Sequence, residues 1–391
     1  LKDSKSFALV KAQDGYYRLC KFNIDNTESK VLTPMNQDVI EILGYDAYHD
    51  YLYFELAESD ALETKVYRMM SDGSSLGFLT PEQGKSSGME FSPDFSKFIY
   101  TNSDATQRMS VYSVDYAKSL KSELYNKQPI LDSSKAKGCT AKDFLTVNVD
   151  SVKLNCWIMK PANFDPGKRY PLLMYEYGGP SVPPHVVNAW DYNYYWQQYL
   201  VQHGIVVMCV DPRGIQNRGT SFQDATYKQM GIVQVTDVLA TLEQMKKQPW
   251  VDSSRIGIQG WSFGGYMVLQ CMTRSKAFKC GASGAPLTDW KFYDCAYTER
   301  FMQTPATNPD GYKNSSVLEV AKNLSGKLLV AHGLADDNVH VENTYELCKR
   351  LNAANIHYQL LIYPDKNHNI IGGMHRLHIY SEICDFFIDN L

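Results

Sequence analysis

No stretch of the chain reaches the ~18 uncharged apolar residues that a membrane-spanning helix needs. No C-x-x-C pair is present to hold zinc or to run dithiol chemistry. Charge of one sign is not in excess either: 39 Lys and Arg stand against 43 Asp and Glu, a formal net charge of −4. No global field therefore draws the chain to nucleic acid or anionic lipid. Collagen-like repetition is absent, and 44% hydrophobic with 21% charged residues over 391 positions is the composition of a folded chain of two or three domains. The nine cysteines stand singly, and an odd number cannot all pair. Cys209 and Cys271 sit in apolar runs and read as small buried hydrophobes. The chain opens on Leu1, without a signal-like segment, and is expected to begin inside a longer protein. Aromatics, by contrast, are plentiful; 27 Tyr point to sheet-rich structure or an aromatic-lined pocket.

Residues 1–140 read as short strands joined by turns, with an internal echo. Tyr17-Arg18-Leu19 and Leu32-Thr33-Pro34 return as Tyr67-Arg68-Met69 and Leu79-Thr80-Pro81. Tyr45-Asp46-Ala47-Tyr48 with Tyr51-Leu52-Tyr53-Phe54 resembles Phe91-Ser92-Pro93-Asp94 with Phe98-Ile99-Tyr100. Strand-rich repeats of ~40–50 residues mark β-propeller blades. About three blades fit in this segment, whereas closed propellers have ~4–8 and an open stack exposes strand edges. Further blades are expected upstream.

From about residue 143 the pattern changes. A hairpin at 144–149 and 154–159 is followed by short apolar runs without alternation at 171–177, 205–210, 256–258, 328–331 and 359–363. Helical spacing fills 235–246 and 342–351, and 163–169 is a surface loop. Runs that are apolar on both faces predict parallel strands covered by helices, an α/β unit over 141–391.

The strongest chemical signal is Gly260-Trp261-Ser262-Phe263-Gly264-Gly265-Tyr266, between a strand at 255–258 and a helical segment at 267–272. This is G-x-S-x-G in the strand–turn–helix setting of a nucleophile elbow. The sharp turn puts Ser262 at its tip on strained backbone, so its neighbours must lack bulk, as Gly260 and Gly264 do. The hydroxyl then projects clear of the sheet, and the Phe263 N–H faces the place where an oxyanion forms. A serine needs a base and the base an orienting carboxylate, in the chain order Ser, acid, His. After the run 328–331 comes His332-Gly333-Leu334-Ala335-Asp336-Asp337-Asn338-Val339; after the next comes Pro364-Asp365-Lys366-Asn367-His368-Asn369. His368, the one histidine of that last loop, is assigned as the base, and the acid is Asp336 or Asp337. His332, His340, His357, His375 and His378 take ordinary roles; His375 and His378 have metal-compatible spacing but no third ligand nearby. A second oxyanion donor is expected from Tyr175-Glu176-Tyr177-Gly178-Gly179-Pro180, whose glycines let backbone or a tyrosine hydroxyl approach the reacting carbonyl.

Together, Tyr177-Gly178-Gly179-Pro180, Asp211-Pro212-Arg213-Gly214, the 260–266 elbow, Ala285-Pro286 with Trp290, Tyr297-Thr298-Glu299-Arg300 and residues 332–340 resemble the prolyl oligopeptidase family of serine peptidases, most closely its dipeptidyl peptidase IV branch. The likeness covers 170–391. It implies an α/β hydrolase fold, a mostly parallel sheet flanked by helices, over 141–391, preceded by a partial β-propeller over 1–140. It implies Asp336 as the triad acid and the Tyr177 hydroxyl as oxyanion donor beside Phe263. It also implies a proline-sized S1 slot from Phe263, Leu287, Trp290, Tyr293, Tyr297 and Val339, with Asn338 near the substrate carbonyl. A flat aromatic slot suits a pyrrolidine ring, although by spacing alone 290, 293 and 297 are equally the face of a core helix. Asn369 and Pro212 stand where glycine is common in the family. The Glu pair that anchors the substrate's amine has no match in 1–140 and is expected upstream, so the number of residues released, two or three, is not legible.

The implied activity is that of a serine exopeptidase, cleaving after proline or alanine near a free N-terminus through an acyl-enzyme. It calls for peptide substrates, no nucleic acid, no metal and no cofactor. A periplasmic, secreted or cell-surface setting fits the resemblance. A homodimer is a further expectation; the apolar face around 378–387 suits a dimer contact or packing on its own sheet. The rivals are a prolyl tripeptidyl peptidase, an acylaminoacyl peptidase or endopeptidase, an esterase on the same fold, and a catalytically silent binding module. The last requires a broken triad, and Ser262, Asp336 and His368 are all present.

Overall fold

The three-dimensional structure is a computed structural model describing residues 1–25, 29–116, 118, 120–125 and 139–391. The chain divides into two units, Leu1–Lys137 with Val187–Tyr192 and Gln216–Gln223, and Gly138–Val186 with Asn193–Ile215 and Asp224–Leu391. Residues 126–138, which lead up to the expected boundary at 140/141, lie outside the described residues.

Alternating strands and tight turns build the first unit. Ser6–Gln13, Tyr16–Asn23 and Ser29–Val31 form a three-stranded antiparallel sheet. Val39–Asp46, Tyr51–Ala57, Thr64–Met70 and Gly77–Phe78 make a four-stranded meander. Lys85–Phe91, Lys97–Ser103, Ser110–Asp115 and Leu120–Tyr125 make another, joined to it by the single pair Thr64 and Lys85. The Leu-Thr-Pro echo has a structural cause. Thr33 Oγ1 accepts the Leu19 N–H at 2.9 Å, and Thr80 Oγ1 accepts the Val66 N–H at 3.0 Å. Each repeat thus uses its threonine to close the same inter-strand bond. In that register Tyr67-Arg68-Met69 is three residues displaced from Tyr17-Arg18-Leu19, so this second echo marks no equivalent position. Leu19, Leu32, Leu52, Phe54 and Met69 form the buried core between the first two sheets. Two loop segments from later in the chain complete the unit: Asn188 Oδ1 accepts from the Ala105 N–H (3.0 Å), and the Gly219 N–H donates to Asp38 (2.7 Å).

The second unit is an eight-stranded sheet in the spatial order Asp143–Val149, Val152–Met159, Val206–Val210, Tyr170–Glu176, Val251–Trp261, Cys280–Gly284, Lys327–Gly333, Gln359–Tyr363. The first two strands form the expected antiparallel hairpin, and every pairing from Val206–Val210 onward is parallel. Val206–Val210 is buried along its whole length, as a strand covered on both faces must be. Ile232–Met245 and Glu342–Ala353 are the helices the spacing predicts. Cys280–Gly284 is a strand that hydrophobic patterning misses, since Cys-Gly-Ala-Ser-Gly carries little strand preference. Its small residues answer to packing: a Cβ on Gly281 would collide with the Met272 sulfur and stand 3.0 Å from Val268 Cγ1, both on the helix Phe263–Arg274 above it. In the C-terminal helix His375–Asn390, Ile379, Ile383, Cys384, Phe386 and Phe387 are buried. That helix lies against the helix Tyr194–Gln202 and the strands Cys280–Gly284 and Lys327–Gly333, so its apolar face is taken up within the unit.

Candidate active site

The central strand Val251–Trp261 passes directly into the helix Phe263–Arg274, with Ser262 between them at φ 61° and ψ −121°. A non-glycine residue with such backbone costs about 1–3 kcal/mol and persists only when its surroundings hold it. Here the Ser262 N–H donates to the Gly284 carbonyl at 2.8 Å. The flanking glycines are obligatory. A Cβ on Gly260 would strike the Gly264 carbonyl, one on Gly264 the Glu176 carbonyl, and one on Gly265 the Gly284 carbonyl. All three obstacles are backbone, which cannot swing aside.

His368 Nε2 lies 2.9 Å from Ser262 Oγ, and its Nδ1 lies 2.7 Å from Asp336 Oδ2. The carboxylate accepts from Nδ1–H, which leaves Nε2 as the acceptor facing the serine hydroxyl. Asp336 Oδ1 accepts the N–H groups of Asn338 (3.0 Å) and Val339 (2.9 Å). Burial alone would push the Asp336 carboxyl up, but hydrogen bonds from His332 and His368, the His368 charge and the Asn338 N–H together hold it well below the usual carboxylate range. Asp337 is exposed. His332 is fully buried, with Nε2 3.2 Å from Asp336 Oδ2 and 2.8 Å from the Val339 carbonyl, and Nδ1 2.7 Å from Thr344 Oγ1. Since a carbonyl only accepts, Nε2 carries the hydrogen and Nδ1 takes the threonine proton.

Phe263 is the first residue of its helix, so its N–H has no intrahelical acceptor. The Tyr177 ring stacks on His185 at 4.6 Å. Burial pushes the Tyr177 phenol up, and a side-chain hydrogen bond with Ser262 opposes this; the hydroxyl is thereby kept as a neutral donor. Pro212, one of the two departures from the glycine pattern, packs its ring against Gly178, whose φ of +71° lies in the left-handed region that favours glycine and where a Cβ would come within 2.9 Å of that ring.

The aromatic residues at 290, 293 and 297 do not share one helix. Trp290 belongs to a short 3₁₀ turn, Trp290–Phe292, and Tyr297 to the helix Cys295–Met302 beyond it. Asp289 and Asp294 cap these turns by accepting the Lys291 and Tyr297 N–H groups. The bend brings the Trp290 ring to 5.6 Å from Phe263, 6.1 Å from Tyr293 and 6.3 Å from Tyr297. Trp290, Leu287 and Val339 are buried, whereas Tyr293 and Asn338 are joined by a 2.9 Å hydrogen bond at the surface of a cavity of about 340 Å³. Ser262, Tyr177, His368 and Asn369 also line it.

Three positioning residues escape sequence reasoning. Trp261 donates from Nε1 to the His368 carbonyl (2.9 Å), tying the histidine loop to the elbow. Tyr266 donates to the Ser315 carbonyl (2.8 Å) and accepts from Trp290 Nε1 (3.3 Å), fixing the aromatic cluster. His332 braces the acid from behind. Trp261 and Tyr266 lie inside the 260–266 motif, the one signal that pointed to them. Arg213, in the Asp-Pro-Arg-Gly motif, instead forms a two-pronged ion pair with buried Asp237, and Asp211 accepts the His185 and Val186 N–H groups; both serve the scaffold. His375 and His378 turn to the Gly372 carbonyl and the Tyr363 hydroxyl.

A serine on a strained strand-to-helix turn, within hydrogen-bond reach of a histidine whose other nitrogen meets a buried carboxylate, makes this parallel-sheet unit an α/β hydrolase laid out as a serine hydrolase. Residues 190–391 match the model of the prolyl oligopeptidase family, and residues 1–109 that of the dipeptidyl peptidase IV (DPP IV) N-terminal region. The chain belongs to the prolyl oligopeptidase family, with a β-propeller-like region ahead of the hydrolase domain. It is 31% identical to the "Probable dipeptidyl-aminopeptidase B" of Aspergillus clavatus over 385 residues, covering 96% of this chain and 42% of that protein. Against the protein of the same name from Coccidioides posadasii the identity is 28%, with the same coverage. The crystal structure of Porphyromonas gingivalis dipeptidyl peptidase 4 superposes with a TM-score of 0.91 at 36% identity, covering 99% of this chain and 55% of that one. The chain thus spans less than half the length of these curated relatives.

Proposed function

We propose that the protein containing this chain is a serine exopeptidase of the dipeptidyl peptidase IV type, cleaving after proline or alanine near a free N-terminus. The carrying observation is the 2.9 Å approach of His368 Nε2 to Ser262 Oγ with Asp336 behind it. Ser262 Oγ attacks the scissile carbonyl while His368 takes its proton. Asp336 holds the imidazole tautomer and stabilises the imidazolium. The tetrahedral oxyanion accepts from the Phe263 N–H and the Tyr177 hydroxyl, donors of a type worth about 2.7–4 kcal/mol each. His368 then protonates the leaving amine, and water, activated by the same histidine, releases the acyl group from Ser262. The P1 ring packs against the Trp290, Tyr293 and Tyr297 aromatics, with Leu287 and Val339 behind and Asn338 facing the substrate carbonyl. A homodimer completes the proposal, read by light scattering of the full-length protein.

The test pairs fluorophosphonate labelling of the full-length protein with hydrolysis of Gly-Pro-, Ala-Ala-Pro- and acetyl-Ala-p-nitroanilides and p-nitrophenyl acetate. Labelling at Ser262 with preference for Gly-Pro-p-nitroanilide is expected. Unchanged peptidase activity in Ser262→Ala would overturn the assignment, and preference for Ala-Ala-Pro or acetyl-Ala would move the protein to a sister activity.

A further inference from the structure

The active-site cavity extends well past the reacting atoms. Because His368 Nε2 must pass its proton to the leaving nitrogen, the leaving group departs over the imidazole, away from the Trp290–Tyr297 aromatics. Arg376, Ile379 and Tyr380 of the C-terminal helix, which follows the histidine loop, line the same cavity as Ser262 and His368. None of its lining residues is a carboxylate, and Arg376 is its one permanent cation. No ion pair holds that guanidinium among the described residues. It lies over the Tyr380 ring, 5.4 Å from the centroid, and its platform is fixed. Tyr380 stacks on Trp196 at 5.6 Å with 20° between planes, Trp196 donates to Asn193 Oδ1 at 3.1 Å, and Asn193 Nδ2 donates to the Tyr175 hydroxyl at 3.2 Å. Helix stability does not account for the arginine. It sits in the first turn of His375–Asn390, where the helix macrodipole is positive and no acidic residue offsets it.

We propose, resting on the peptidase reading above, that Arg376 is a specificity-determining residue of the leaving-group side and binds a carboxylate there. The only anions an unmodified peptide offers are its C-terminal carboxylate and the side chains of Asp and Glu. Arg376 therefore favours short peptides whose free C-terminus falls just beyond the scissile bond, or longer ones with an acidic residue at that place. A guanidinium presents paired N–H donors that match a carboxylate. The arginine is exposed, so the gain is that of a solvated pair, about threefold to fivefold in kcat/KM.

The test uses the full-length protein, wild type and Arg376→Gln, with Arg376→Lys and Arg376→Glu as further variants. One pair of substrates is Gly-Pro-Ala as free acid and as amide; the other is Gly-Pro-Glu-amide and Gly-Pro-Gln-amide. The charged member of at least one pair is expected to be preferred about threefold to fivefold at low salt. That ratio should fall to near one in Arg376→Gln, recover in part in Arg376→Lys and invert in Arg376→Glu. Preference in the first pair assigns the C-terminal carboxylate, and preference in the second the acidic side chain. Equal rates within both pairs, or ratios unmoved by the substitutions, refute the role of Arg376 while leaving the peptidase reading intact. Failure of the wild type to cleave any of the Gly-Pro-, Ala-Ala-Pro- and acetyl-Ala-p-nitroanilides overturns the peptidase reading, and this inference falls with it.

Discussion

Asp336→Asn isolates what the carboxylate does for the histidine, because the substitution keeps size and shape. Asp336 Oδ1 accepts two N–H groups, from Asn338 at 3.0 Å and Val339 at 2.9 Å. An asparagine must therefore keep its carbonyl oxygen there, since turning its NH₂ toward two donors would forfeit both bonds. That choice points the NH₂ at His368 Nδ1, now 2.7 Å from Oδ2. A donor facing Nδ1 demands the tautomer with hydrogen on Nε2, and Nε2 can then no longer accept the Ser262 proton. The geometry survives and the base does not. Loss of a base through the wrong tautomer costs about 10⁴-fold in kcat in the serine-protease template, and a similar fall is expected here. KM should change little, because Asp336 touches no substrate. The assay is steady-state hydrolysis of Gly-Pro-p-nitroanilide by the full-length variant, with circular dichroism to show that it is folded. A folded Asp336→Asn protein within tenfold of wild-type kcat would refute the tautomer argument.

On the proposed mechanism, Tyr177→Phe removes one oxyanion donor while keeping the ring stacked on His185; kcat for Gly-Pro-p-nitroanilide should fall about 10²–10³-fold, and an unchanged kcat would take Tyr177 out of the oxyanion hole. Gly281→Val sets a Cβ against the Met272 sulfur and within 3.0 Å of Val268 Cγ1 and 3.1 Å of Ile258 Cγ2, and adds two methyl groups beyond it. Overpacking of this kind costs about 1–3 kcal/mol, to be read as a lower midpoint in urea unfolding, whereas an unchanged midpoint would mean that helix and strand are not in this register. The lowered Asp336 pKa makes folding stability depend on pH. The folded value lies below the unfolded one, so its contribution is complete above the unfolded value of about 3.9 and is lost as pH falls through the folded one. The stability gap between wild type and Asp336→Asn should accordingly narrow from pH 6 to pH 3, and a gap that widens would reverse the sign of the argument.

Much of the site was legible because its chemistry is local. G-x-S-x-G works through the steric needs of a few consecutive residues, so Gly260, Ser262 and Gly264 announce the turn wherever the chain carries them. Apolar runs without alternation mark strands covered on both faces, and they located five strands of the parallel sheet. Leu-Thr-Pro recurs because each copy closes one bond between neighbouring strands. The choice between Asp336 and Asp337 is different in kind. Both follow the same strand at almost the same place, and their spacing is silent; in space Asp336 meets His368, His332 and two backbone N–H groups, while Asp337 faces solvent. The strand Cys280–Gly284 hid because its small residues answer to a helix folded over it. The aromatics at 290–297 imitate one helical face, yet two side-chain caps break the segment and bend it into a cluster. Arg376 stands far from Ser262 in sequence, in a helix whose burial pattern says nothing of a cavity. What one stretch of chain must satisfy by itself is written in that stretch. What depends on distant segments meeting, such as the acid's partner, the buried small strand and the wall of the cavity, is decided by packing, because each of those contacts is set by the shape of two surfaces and not by either sequence alone.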